Sequence, residues 1–298
     1  MVGTYYQTVN FEASLILNNK GPDPLPVTLS FFSMQGNRLD FPWELEGNSA
    51  EEISLNELLA DELPEFQEGS VRINYRYSGC QLVLSAGPTL TNTALGLAFD
   101  EIFTRLDKQK GNRLESLWWV PTRKSRIDLV LSNTSDQPIS ATIQALSSGF
   151  PGGQKETSID FQPRETKRLK VPQRFLIDLR KSQWKAGSLA IEHTGEPGDL
   201  VARGYVWDRN IGFSNVLEFS DLLAAEGTEL HGTGLRFATA DGQRLFPVVV
   251  ARNLAETESI LTVRVPYTTT SGEAHVRTFE KVVLEFGEVR NLAEWVYG

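Results

Sequence analysis

The chain has 298 residues, a formal net charge of −9, a pI near 5.0 and a single cysteine, Cys80. The acidic balance argues against nucleic acid or an anionic membrane surface as a partner. One thiol permits no intrachain disulfide and no cysteine-built metal cluster, and no apolar run reaches the roughly 18 residues a membrane span needs.

Taken from the amino terminus, MVGTYYQTVN has neither a basic n-region nor an apolar h-region, so the export signal of an exported protein would lie outside this sequence. The first strands follow in FEASLILNNKGPDPLPVTLSFF: Phe11, Ala13, Leu15 and Leu17 alternate with polar residues, the chain breaks at Asn18 to Pro26, and Val27, Leu29 and Phe31 resume the alternation. Side chains of a strand face opposite sides in turn, so this is a pair of half-buried antiparallel strands. Met34 to Trp43 reads as a polar excursion, Glu51 to Leu55 as strand, and Asn56 to Leu63 as one or two helical turns. Val71, Ile73 and Tyr75, then Leu82, Leu84 and Ala86, then Leu95, Leu97 and Phe99 supply three more inner strand faces. Asp100 to Arg126 reads as linker and entry strand, and its charged middle, Asp107 to Arg113, marks a boundary. Of the adjacent Trp118 and Trp119, one indole is expected inside and the other on the surface or against the preceding unit.

The opening pattern returns in RIDLVLSNTSDQPISATIQAL, Arg126 to Leu146, and again in FPVVVARNLAETESILTVRVPY. The asparagine closing the first strand falls at Asn19, Asn133 and Asn253, steps of 114 and 120 residues. A glutamate with leucine four residues later falls at Glu51/Leu55, Glu165/Leu169 and Glu288/Leu292, steps of 114 and 123. A period this long is a domain duplication and far exceeds the roughly 20–50 residues of solenoid repeats. The expected architecture is all-β: tandem Ig-like antiparallel β-sandwich units at 1–108 and 109–229, with a partial third at 230–298. Asn19 should then superpose on Asn133 and Leu55 on Leu169. Shared parity predicts one core in unit two from Leu129, Leu131, Ile143, Leu189, Ile191 and Ala202.

Within unit two, the glycine-rich stretch Ser147 to Glu156 suits a long hairpin tip, and it lacks the lysine and hydroxyl of a phosphate loop. In LVARGYVWD, Leu200, Ala202, Gly204 and Val206 suit the core, which puts Val201, Arg203, Tyr205 and Trp207 together on the opposite face. An arginine beside two rings can stack on a ligand or partner, or be self-contained with Arg203 lying over Tyr205. Unit three offers strands at Leu245–Ala251, Ile260–Tyr267, Val276–Leu284 and Glu288–Leu292. These suffice for one layer of a sandwich, whose apolar face and open strand edge would be available to another chain or a second copy.

The strand–NTS–strand opening LVLSNTSDQPISATIQAL, the FQPRETKRLKV strand and the GSLAIEH…PGDLVARGYV pair with its late FSNVLEF strand resemble bacterial Ig-like β-sandwich modules of the ASH, NEW3 and CARDB type. The resemblance covers units one and two throughout and the first half of unit three. Unit one departs from it by inserting NKGPDPLP in the opening turn and by placing Ser78-Gly79-Cys80 where unit two has its PGD turn. The resemblance implies a non-catalytic, extracytoplasmic module (periplasmic, secreted or on the cell surface) used for spacing or adhesion, with no cofactor.

No catalytic constellation stands against this. His193, His231 and His275 have no metal-ligand spacing, and no G-x-S-x-G elbow is present. Asp199, Asp208 and Asp221 are carboxylates between strands but form no calcium loop. Asn133-Thr134-Ser135 matches a glycosylation sequon, though these side chains also cap turn amides. Two functions remain: a structural or adhesive module that binds protein or spaces domains, and a carbohydrate-binding module stacking sugars on Trp118, Trp119, Tyr205 and Trp207. Coplanar exposed rings would favour the second, and rings buried between units the first.

Overall fold

The structure, a computed structural model, describes residues 2–76, 83–106, 109–122, 124–147, 155–171, 185–221, 249–253, 257–269, 271–285 and 289–291. Cys80, Leu82, His231, most of the glycine-rich loop, residues 245–248 and the Glu288/Leu292 pair lie outside the described residues. The fold is all-β and antiparallel.

The first strands are β1 (Val2–Gln7), β2 (Glu12–Asn19), β3 (Leu25–Ser33), β4 (Arg38–Leu45), β5 (Ser49–Ser54), β6 (Glu68–Tyr75), β7 (Leu84–Asn92) and β8 (Leu97–Asp100). They form two four-stranded sheets, ordered β1-β6-β3-β4 and β5-β2-β7-β8. Next come β9 (Arg113–Val120), β10 (Arg126–Asn133), β11 (Ile139–Ser147), β12 (Lys155–Phe161), β13 (Thr166–Lys170), β14 (Lys185–His193), β15 (Leu200–Asp208), β16 (Phe213–Glu218) and the short β17 (Ser220–Asp221). Their sheets run β12-β11-β14-β9-β17 and β13-β10-β15-β16. Position for position, β9 to β16 repeat the order of β1 to β8, and β17 is the one addition.

Alternation explains where the cores lie. In β2, Ala13, Leu15 and Leu17 are buried while Ile16 is exposed. One core joins Leu29, Phe31 and Ile73 from the first sheet to Leu15, Leu17 and Leu84 from the second. A separate core gathers Leu129, Leu131, Ile143, Leu189, Ile191 and Ala202, the six residues grouped by parity, around the indole of Trp118.

The periodic asparagines have a common task. Asn19 Nδ2 donates to the carbonyls of Asp23 and Glu46, at 2.9 and 3.0 Å, while its Oδ1 accepts from the Gly21 amide. Asn133 Nδ2 donates to Gln137 and Gln162, at 2.7 and 2.9 Å, and its Oδ1 accepts from the Ser135 amide. Asn253 Nδ2 reaches Thr257 and Leu284, at 2.7 and 2.9 Å. Each side chain ties its own turn, four residues on, to a later strand end. A buried amide must find such partners, and at Asn133 the sequon nitrogen is committed to carbonyls.

The leucine signature needs a correction. Leu15 pairs with Ile53 in unit one, whereas Leu129 pairs with Leu169 in unit two. Ile53, not Leu55, therefore occupies the place of Leu169. The slip of two residues preserves strand parity, which is why the sequence pattern does not expose it. Strand β5 stops at Ser54, whose hydroxyl caps a single helical turn, α1 (Leu55–Leu58), followed by a 3₁₀ turn at Ala60–Glu62. Leu55 and Leu59 close one end of the first core. Leu95 also departs from its assignment: it lies in the turn before β8, exposed, with its amide held by Asn92.

The remaining strands are β18 (Val250–Arg252), β19 (Ser259–Thr268), β20 (Ala274–Leu284) and β21 (Val289–Asn291), which make two two-stranded sheets, β18-β21 and β19-β20. Val282 and Leu284 are buried, while Val249, Leu261 and Val263 are half-buried. Part of the apolar face expected to need an external cover is thus covered within the chain. The β18-β21 pair lies beside β9 and β14, where Arg252 Nη1 meets Glu115 Oε2 at 2.6 Å.

Candidate functional site: the junction of the first two units

Strand β15 carries both faces of the argument. Leu200, Ala202 and Val206 enter the second core, and Gly204 leaves room for Leu217, whose side chain would lie 2.9 Å from any Cβ there. The other row, Val201, Arg203, Tyr205 and Trp207, does not face solvent as the sequence pattern anticipates. Arg203 and Tyr205 are each 4 % exposed, because unit one is laid over the β13-β10-β15-β16 sheet. Tyr205 and Val130 join the first core, with Trp207 and Val216 packed against it.

A strap from unit one builds the contact. After β8 the chain runs on beside β7, with the Glu101 amide donating to the Pro88 carbonyl and the Phe103 amide to the Ala86 carbonyl. Gly87 permits the close approach, since a Cβ there would sit 1.7 Å from the Glu101 carbonyl oxygen. The strap delivers the Glu101 carboxylate to Arg203 and Tyr205. Arg203 Nε lies 3.3 Å from Glu101 Oε2, close enough for an ion pair though not aligned as a hydrogen bond. Its guanidinium also donates to the Ile102 carbonyl at 2.9 Å and to Thr104 Oγ1 at 2.8 Å. The Tyr205 hydroxyl donates to Glu101 Oε1, and its ring meets Phe99 edge-on at 5.3 Å. Among the described residues every partner Arg203 gains across the junction belongs to the strap, so the ring-and-arginine row is organised around unit one.

Further contacts surround this centre. The Thr166 amide donates to the Met34 carbonyl at 3.1 Å, Arg168 pairs with Glu68 at 3.0 Å, and the Ala98 amide donates to Ser214 Oγ at 3.1 Å. The two other predicted rings are placed differently. Trp118 is 1 % exposed inside the second core, and Trp119 is half-buried with Phe213 edge-on at 5.1 Å. Trp207 Nε1 donates to Asp128 Oδ2 at 3.3 Å. The structure thus brings Arg203, Tyr205 and Trp207 together and leaves the tryptophan pair apart from them. Sequence reasoning does not connect Glu101 with this row: it shows only as half of an acidic pair, Asp100-Glu101, that opens the linker.

The aspartates between strands are used locally. Asp208 accepts from Thr122 and Ser125 hydroxyls and from the Asn210 amide, Asp221 accepts from the amides of Lys110 and Gly111, and Asp199 accepts from the Glu196 amide. Among the described residues no group of His, Cys, Asp or Glu is placed to hold a metal ion, and no helix is long and apolar enough to cross a membrane.

His193 is one of the buried titratable groups of unit two. It is 2 % exposed, and neither ring nitrogen has a hydrogen-bond partner among the described residues. Burial holds its pKa below the ordinary histidine value, against the opposing pull of Asp199 and Glu192. The folded state therefore binds this proton less readily than the unfolded chain. Stability is full while both states are neutral and declines as pH falls through the unfolded value of about 6.5. Thermal melts from pH 7.5 to 5 should show a steeper loss for the wild type than for His193→Phe. Parallel curves would show that His193 is not the linked group.

No family model matches this chain, and no curated protein matches it.

Proposed function

We propose that this chain is a non-catalytic spacing and interaction module, built from tandem Ig-like β sandwiches with a partial third unit, of an exported or surface-exposed bacterial protein. The observation that carries the reading is the fate of the Arg203, Tyr205 and Trp207 row. Two rings and a guanidinium that would serve as a stacking platform are used to fix one unit on the next. The shared strand order and the recurring asparagine bonds support descent of the units from one ancestor. A spacer needs joints that keep its ends at a set separation, and a junction with a buried ion pair and a shared apolar core supplies one.

Small-angle scattering of the whole chain tests this. The expected profile fits units one and two as a single rigid body across ionic strengths, because a buried pair is weakly screened. A profile requiring a range of inter-unit angles would overturn the spacer reading. A glycan array separates the alternative carbohydrate-binding function, for which the exposed candidate among the described residues is Tyr267, stacked on His275 at 5.4 Å. The spacer reading expects no retained glycan, and reproducible retention abolished by Tyr267→Ala would favour the sugar-binding one.

A further inference from the structure

A second feature of the same junction lies on the outer face of the β1-β6-β3-β4 sheet, and it does not depend on the spacer reading. Cross-strand register sets Ser30 opposite both Arg72 on β6 and Asp40 on β4, and Phe32 opposite Arg38. Unit two adds a third guanidinium. The turn between β12 and β13 reaches over unit one, where Gly36, at φ +90°, lets the Pro163 carbonyl come within 2.6 Å of where a Cβ would stand. The next residue, Arg164, holds a left-handed backbone with φ 61°, a conformation that costs a non-glycine residue energy and is kept only where the surroundings impose it. Its Cζ sits 5.6 Å from the Phe32 ring centroid, and that of Arg38 sits 5.9 Å from the same centroid.

In a chain of net charge −9, three arginines brought to one spot from two units need an explanation. Two are partly neutralised: Arg38 Nε pairs with Asp40 at 2.8 Å and Arg164 Nε with Asp136 at 2.8 Å. Their remaining edges are less well served. Arg38 Nη2 makes a long contact of 3.4 Å to Ser30 Oγ, and Arg164 Nη1 is buried with no hydrogen-bond partner among the described residues. Arg72 is half-buried and has neither a hydrogen bond nor an ion pair among the described residues. Burial disfavours its charge, the nearby Arg164 and Arg38 disfavour it further, and Asp136 offsets only part of this. A buried guanidinium donor without an acceptor is costly, and guanidinium forks match the oxygens of carboxylate, sulfate and phosphate.

We propose that Arg38, Arg72 and Arg164 form a binding site for an oxyanion group, completed only when unit two's turn docks on unit one. The anion supplies the acceptor that Arg72 and Arg164 Nη1 lack, and Asp40 and Asp136 act as struts that orient the outer two guanidiniums. Because Arg164 comes from unit two, a bound anion also ties the units together.

Arg72→Gln is the informative variant, since it removes a side chain with no hydrogen bond or ion pair among the described residues to lose. Thermal unfolding of the whole chain is followed at fixed ionic strength while chloride is replaced by sulfate, phosphate or acetate. In chloride alone Arg72→Gln should melt at or above the wild-type temperature. Replacement by an oxyanion should raise the wild-type midpoint and leave the variant nearly unmoved, with affinity weaker by about tenfold or more, the equivalent of one charge-assisted hydrogen bond. The acetate arm against the sulfate and phosphate arms identifies whether a carboxylate or a tetrahedral group is preferred. Arginine side-chain NMR gives a readout independent of stability, with the Nε–Hε signals of Arg38 and Arg164 shifting on titration. Equal midpoint shifts in both proteins, or no shift of either arginine signal in any arm, would overturn the site while leaving the spacer reading intact.

Discussion

Replacing Arg203 with methionine should destabilise the chain by about 3–5 kcal/mol, the cost of stranding one member of a buried ion pair. The side chains of Arg203 and Glu101 are only 5 % and 2 % exposed, so solvent cannot take over when one charge is removed. Methionine would retain most of the packing volume but none of the donors that serve Ile102, Thr104 and Glu101. Glu101 would lose its guanidinium partner in a site too dry for an uncompensated carboxylate. Glu101→Leu should cost a similar amount for the mirror reason. The double variant should recover much of the loss, since apolar replacements of buried pairs are often nearly neutral. Urea unfolding of the two single variants and the double closes this cycle. Single variants that each lose under about 1 kcal/mol, as an exposed pair would, would show that the junction is open in solution.

The other large effect belongs to the second core. Leu131→Ala should cost about 2–5 kcal/mol, because the methyl groups leave a cavity that the surrounding strands fill incompletely. Leu131 is fully buried and lies between Lys167 of β13 and Ala202 of β15 in the sheet. Ser140→Ala is the matched control. Its hydroxyl makes an exposed bond to Asp160 at 2.6 Å, and its loss should cost roughly 0.5 kcal/mol or less. Similar urea midpoints for the two variants would mean that the faces of β10 and β11 are assigned the wrong way round.

Much of the fold was legible because strand parity is a local property. The inward set Leu129, Leu131, Ile143, Leu189, Ile191 and Ala202 could be read from alternation alone. Asn19, Asn133 and Asn253 announced themselves by spacing, though only the coordinates show each amide clamping its turn. The register slip between Ile53 and Leu55 was invisible, since a shift of two leaves every side chain on the same face. The site was half legible. Alternation grouped Arg203, Tyr205 and Trp207 correctly, but whether such a row meets water depends on what packs over it, which is tertiary information. Glu101 lies just beyond the last periodic strand of unit one, Gly87 sits within β7, and Arg164 is distant in sequence from Arg38 and Arg72. No local pattern connects these residues.

The β13-β10-β15-β16 sheet is covered on both sides, by its own partner sheet and by unit one. Unit two is therefore not an interchangeable bead on a string. A bead can be duplicated, lost or shuffled by recombination because its outer surface is self-sufficient. Here Val130, Tyr205 and the strap carrying Glu101 tie the fitness of one unit's sequence to its neighbour's. The structural building block is the pair, and a chain cut between residues 103 and 113 should leave Val130 and Tyr205 without their cover.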